Sequence, residues 1–372
     1  MRRVTFPHMG NLCITVKALF ESLDVEFIIP PACTKRTLEL GTKYAPELAC
    51  LPLKINVGNF IESIEKGADT IVMTGGCGPC RFGYYSEVQR EILKDLGHDV
   101  DFFVLELPKG NVGEFIKRIK SIVGNKSLLT VARGVKKATK VALALDELDR
   151  LSFRIRAREK IKGKTNWIMK KFHHQVQKVK SAEEILMLIE NTKKELKAIE
   201  IDTKVTPLRI GIVGEIYTVI EPFANFRIEE ILGDMGVEVD RSLNIGNWIM
   251  EHVIKYALGM NKNRPYEKAA KPYLKTMIGG HAQETVGNCV MYAQQGYDGV
   301  IQLYPFTCMP EIVAESILPT VSTDLDIPVL TLIIDEMTGE AGYRTRIEAF
   351  VDMLMRRKER NVAVDKYILS GN

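Results

Sequence analysis

The sequence predicts an α/β chain with two similar Rossmann-like domains, their mostly parallel sheets facing across a cleft. Three observations predict it. Short apolar runs at 71–73, 300–304 and 329–334 are bounded by turn residues, as expected of strands buried on both faces. Segments with helical spacing follow the strands, the alternation of βαβ units. One passage also occurs twice in one register: Val57-Gly58-Asn59, a helix and Gly67-Ala68-Asp69 match Val286-Gly287-Asn288, a helix and Gly296-Tyr297-Asp298.

In chain order, residues 4–7 read as a first strand and a helix follows to Asp24. Residues 25–29 form a second strand, stopped by Pro30 and Pro31, and 37–44 a short helix. A longer helix opens at Cys50 and runs to Lys66, feeding the strand at 71–73. Gly75 and Gly76 end that strand, because only glycine bends there at no steric cost. The next helix carries Val88, Ile92, Leu93 and Leu96 at helical spacing, with Gly97 as its stop. Residues 100–107 read as a strand and 112–123 as an amphipathic helix. From 128 to 200 the chain is helical, with basic clusters at Arg150, Arg154, Arg156 and Arg158 and at Lys160, Lys162, Lys164, Lys170 and Lys171 that read as a solvated face or, in the alternative, as a surface for nucleic acid or an acidic partner. Pro207 marks a restart, followed by strands at 208–215, 237–239, 299–304 and 329–334. The expected division is 1–127 for an N-terminal α/β domain, 128–206 for a helical connection and 207–372 for a C-terminal α/β domain.

The bulk numbers describe an ordinary soluble chain. It has 372 residues, 46% hydrophobic and 26% charged, enough for two cores. A net charge of +4 is too weak to imply nucleic acid by itself, and none is expected as a partner. No apolar run approaches the ~18 residues of a membrane helix, so the expected compartment is the cytoplasm. Thiols there stay reduced, so the 7 cysteines read as ligands or free thiols rather than disulfides.

The cysteines sort by position. Cys33, Cys50, Cys77, Cys80 and Cys308 fall at strand carboxyl ends or at the starts of following helices, the edge where open α/β sheets bind ligands. A Cys-x-x-Cys turn there lowers thiol pKa and offers backbone N–H groups to an anion. Cys289 replaces Phe60 inside the repeated helix, where packing is the favoured role and ligation the other, and Cys13 reads as structural. Tetrahedral zinc is one use for such thiols. Scattered ligands without a second short-range pair favour an iron–sulfur cluster held between the domains.

Four motifs then carry a resemblance. Cys50-Leu-Pro-Leu-Lys54, the run from Gly75 through Cys77 and Cys80 to Tyr85, Pro305-Phe-Thr-Cys-Met-Pro-Glu311 and Asp335-Glu-Met-Thr-Gly-Glu340 resemble the 2-hydroxyacyl-CoA dehydratase family. The likeness is to its CoA-protein activase-like branch, with double-cubane cluster proteins as relatives. It implies an oxygen-sensitive iron–sulfur cluster, [4Fe-4S] or double-cubane [8Fe-9S]. It also implies an ATP-dependent [4Fe-4S] activator that delivers low-potential electrons, and a small-molecule substrate to be reduced or dehydrated. The implied ligands are Cys33, Cys77 and Cys308, then Cys50 and Cys80, with Cys289 completing six thiols if the cluster is double. No segment reads as a CoA site, and a homodimer is one assembly left open. Glu311, His281 and Glu340, with Glu215 and Glu284, lie where a proton donor is wanted, although such residues also serve as caps. The competing function is a non-catalytic electron relay or a zinc-stabilised scaffold.

Overall fold

The computed structural model describes residues 2–75, 80–105, 112–124, 126–255 and 264–369. Its first sheet contains β1 (Val4–Thr5), β2 (Thr70–Thr74) and β3 (Asp101–Leu105), all parallel, in the order β1-β2-β3. Phe27 adds a parallel bridge to Val4. The sequence reads a full strand at 25–29, but Pro30 and Pro31 cannot donate to a ladder, and one bridge is what remains.

The second sheet contains β4 (Leu208–Gly214), β5 (Val237–Arg241), β6 (Gly299–Pro305) and β7 (Val329–Ile334), parallel, in the order β5-β4-β6-β7. With Phe27 counted beside β1, both sheets have the spatial order 2-1-3-4. Each then has a switch point between its first and third strands, where a crevice opens at the carboxyl edge.

The helices show why the repeated passage recurs. In the first half, α1 (Leu12–Ser22) and α2 (Lys35–Tyr44) precede α3 (Leu51–Glu65), which is buried over nearly its whole length. A Cβ on Gly58 of α3 would sit 1.9 Å from the Thr37 carbonyl oxygen of α2. A Cβ on Gly287, in the equivalent helix Ala282–Gln294, would sit 2.1 Å from the Tyr266 carbonyl oxygen. Each glycine lets its helix cross the preceding one backbone to backbone. The duplication is therefore one of packing as well as of topology.

The first half is completed by α4 (Tyr85–Asp95) and α5 (Val112–Val123), and the middle segment holds three long helices: α6 (Leu128–Arg158), α7 (Lys164–Val176) and α8 (Ala182–Lys197). Leu145, Phe172 and Ile189 form a core with Ile14 and Ala18 of α1. Another core runs from Cys33, Leu51 and Ile55 across Phe153 of α6 to Ile210, Ile212 and Leu303 of the second sheet. The basic clusters are not uniformly solvated: Arg156 is 3% exposed and donates to Asn166 at 2.6 Å, while Arg158 pairs with Glu238 at 2.5 Å. After β5 the chain is helical over Ile245–Ile249 and continues as a π turn, Met250–Ile254. Among the described residues, no helix is long and apolar enough to cross a membrane.

Candidate functional site

The carboxyl edges of the two sheets meet, and three cysteines meet there with them. Cys50 is the N-cap of α3, Cys80 of the 3-10 turn Arg81–Tyr84, and Cys308 of the helix Met309–Asp324 that follows β6. All three backbones are extended at the cap, as N-cap geometry requires. Each thiol therefore stands at the positive end of a helix or turn, where negative charge is favoured. Cys77 lies outside the described residues.

Arg81 straps the three segments together. Its guanidinium donates to the Leu48 carbonyl at 3.0 Å and to the Thr307 carbonyl and hydroxyl at 2.7 and 2.6 Å, and Thr307 in turn donates to Leu48 at 3.3 Å. Thr307 is held at φ +66°, rare for a β-branched residue and sustained only by surrounding contacts. Deeper in, Lys54, 3% exposed, pairs with Glu336 and donates to the Glu47 carbonyl at 2.8 Å. The four motifs of the sequence are thus tied in two pairs across the cleft: Cys50–Lys54 with Asp335–Glu340, and Gly75–Tyr85 with Pro305–Glu311.

Burial controls the electrostatics. It pushes the Cys50 thiol up to about 12, with the Glu215 carboxylate adding to the effect and Arg81 opposing it. Burial also raises Cys80, against the Phe82 N–H, and raises Cys308 further, with Glu215 and then Glu311 adding. As free thiols these side chains are protonated at neutral pH and poor nucleophiles. Cys50 also contacts the Tyr85 hydroxyl.

The carboxylates fall into different roles. Glu215 caps the short helix α9 (Ile216–Ile220), accepting from the Tyr217 and Thr218 N–H groups at 2.9 and 3.0 Å. Its burial raises its pKa against those bonds. Glu311 is fully buried; burial pushes it up to about 8, although Gln302 and Thr285 donate to it. His281 is the half-buried N-cap of the helix Ala282–Gln294. Glu284, in the first turn of that helix, is raised to about 7 by burial against Arg264. Glu340 is exposed at the start of the last helix, Glu340–Leu369.

Three other described cysteines stand apart from these. Cys13 packs with Val4, Phe6 and Phe20. Cys289 is fully buried with Ala270, Leu274 and Ala314, its thiol pushed to about 12 by burial alone. Cys33 lies beyond α9 in another group of contacts. Its sulfur is 3.8 Å from the Tyr217 hydroxyl, and its charged neighbours are Glu221 and His8. His8 Nδ1 lies 2.9 Å from a Glu221 carboxylate oxygen. Burial works against charge on His8, but Cys13 and Glu221 outweigh it and raise its pKa well above 6.5. Glu221 is shifted the other way: burial would raise it, and His8 holds it below its ordinary value. The two shifts agree on an ion pair between the halves.

Lys54, Glu336 and Thr307 lay inside the quoted motifs without being singled out, and His8, Tyr217 and Glu221 outside them. Long-range pairing leaves no local signature, so only the motifs marked the first group and nothing marked the second. A search of the curated proteins returns no match. The family model of the 2-hydroxyglutaryl-CoA dehydratase D-component matches residues 10–354, nearly the whole length of this sequence, and the chain belongs to that family.

Proposed function

We propose that the chain is the cluster-bearing component of a 2-hydroxyacyl-CoA dehydratase-type system, of the CoA-protein activase branch, with an iron–sulfur cluster in the cleft. In this reading residues 1–127 and 207–372 are the two α/β halves and 128–206 their helical connection. Cys50, Cys80 and Cys308 hold the cluster, with Cys77 as the further thiol of the same glycine-rich turn. The observation that carries the reading is the convergence of three N-cap thiols from both halves, strapped by Arg81.

The donor set fits a polynuclear group better than one metal ion. Among the described residues, the set of three or more His, Cys, Asp or Glu side chains whose ligand atoms lie within 4.8 Å of one another is His8, Cys33 and Glu221, so the sulfurs of Cys50, Cys80 and Cys308 are more widely spread. Four thiolates on tetrahedral zinc, at about 2.3 Å each, put their sulfurs about 3.8 Å apart. A wider all-thiol cage suits a cluster.

When bound, such a cluster supplies one-electron chemistry at low potential, fed by an ATP-dependent [4Fe-4S] activator. The chain's own residues hold and screen it. Arg81 brings positive charge to Cys50 and Cys80, the helix starts bring partial positive charge to all three thiols, and burial keeps water from Cys50 and Cys308. Glu311 holds a proton at neutral pH in the pocket of Thr285 and Gln302. The substrate is a small acyl compound.

Anaerobic iron, sulfide and EPR analysis tests this. Wild-type protein is expected to be brown and EPR-active after reduction by activator and ATP. Cys50→Ser, Cys80→Ser and Cys308→Ser each lose most of the iron, Arg81→Ala loses it faster in air, and Cys289→Ser keeps it. Anaerobic protein without iron and sulfide overturns the reading.

A further inference from the structure

His8, Cys33 and Glu221 come from three distant parts of the chain, yet one ligand atom of each lies within 4.8 Å of the others. His8 follows β1, Cys33 precedes α2, and Glu221 follows α9, so the group sits on the seam between the halves. We propose that these three side chains form a mononuclear site for a divalent cation of zinc type, separate from the cleft thiols. The donor set is one imidazole, one thiolate and one carboxylate, which suits a borderline-soft cation.

The surroundings are those of a built site rather than a chance approach. Glu221 is oriented through its other bonds: the Gly10 N–H donates to one oxygen at 2.8 Å and the Phe223 N–H to the other at 3.2 Å. Gly10 has φ +47°, and a Cβ there would lie 2.7 Å from the Ile220 carbonyl oxygen, so the close approach demands glycine. Asn59 accepts from the His8 N–H at 3.2 Å and donates to the Pro31 carbonyl at 2.8 Å, fixing the segments that carry His8 and Cys33 to α3. The Tyr217 hydroxyl lies 3.8 Å from the Cys33 sulfur. Such outer partners set the direction of metal ligands. A divalent ion would displace the proton that His8 shares with Glu221. Three protein ligands leave a fourth position for water or for Cys13, which neighbours His8.

The site is tested on the full chain in two ways. In anaerobically purified wild-type protein, metal analysis should find about one zinc per chain besides iron. His8→Gln, Glu221→Gln and Cys33→Ser should each lower zinc at least tenfold while leaving iron and sulfide unchanged. In a Cys50→Ser/Cys80→Ser/Cys308→Ser chain, added cobalt(II) should give tetrahedral d–d bands and a thiolate charge-transfer band. Adding Cys33→Ser should remove that charge-transfer band. The cobalt experiment does not depend on the cleft cluster, so the two readings fail separately. Wild-type protein with no divalent metal beyond iron overturns the site whether or not the variants fold. So does Cys33→Ser protein that loses iron and sulfide, because Cys33 then belongs to the cluster.

Discussion

Asp146 illustrates how a single residue makes the packing readable in solution. It is 3% exposed in the middle of α6 and accepts the Asn247 N–H at 3.1 Å. Burial nevertheless pushes it up to about 6. A carboxyl raised in the folded state favours folding below its unfolded pKa, near 4, and loses that contribution as pH rises through its folded value. Relative to Asp146→Asn, the wild type should therefore lose up to about 3 kcal/mol between about pH 4 and 6.5. Urea titrations of both proteins across that range read the difference directly, and a flat difference contradicts the assignment. At this scale the places of Cys50, Cys80 and Cys308 at helix or turn starts were legible, because glycine and proline mark the turns beside them. The ion partners were not, since no local pattern announces that Lys54 will meet Glu336 or His8 will meet Glu221.

The repeated glycines act at the scale of helices. Adding one methyl at Gly58 or Gly287 drives a Cβ into a carbonyl oxygen of the helix beneath, and backbone cannot swing aside as a side chain would. Gly58→Ala and Gly287→Ala should each cost about 3 kcal/mol, at the upper end of overpacking. Gly339→Ala, with open space around its Cβ, should shift the denaturation midpoint little. Equal losses at the first two sites would match their equivalent places; no loss at either would mean the helices are not held so closely. A smaller loss belongs to α2, where Thr34 accepts from the Thr37 N–H in a capping box. Thr34→Ala should cost about 1 kcal/mol by the same measurement. The repeat made both crossing helices legible, but the start of α2 was read two residues late. Its box uses threonine where glutamate or glutamine is the usual signal.

For the whole molecule, the two halves share one apolar core and are joined across the cleft by a few polar ties. Glu336→Gln leaves the Lys54 ammonium buried with a neutral partner, a loss of about 3 kcal/mol. Urea denaturation measures it, and an unchanged midpoint would mean that the pair does not hold the cleft. The sequence disclosed two sheets because each is written locally as strand, turn and helix. It did not disclose that Phe153 of α6 joins Leu51 and Ile210 in one core, because that contact depends on how the finished elements stack. This stacking also sets an order of events during synthesis. Cys50 and Cys80 leave the ribosome early, whereas Cys308 follows most of the chain later, roughly tens of seconds at about 5–20 residues per second. Until then the first half carries its thiols without the surface that covers them. A nascent chain stalled before β6 should therefore expose Cys50 and Cys80 to alkylation, and the cleft closes only when the last strands arrive.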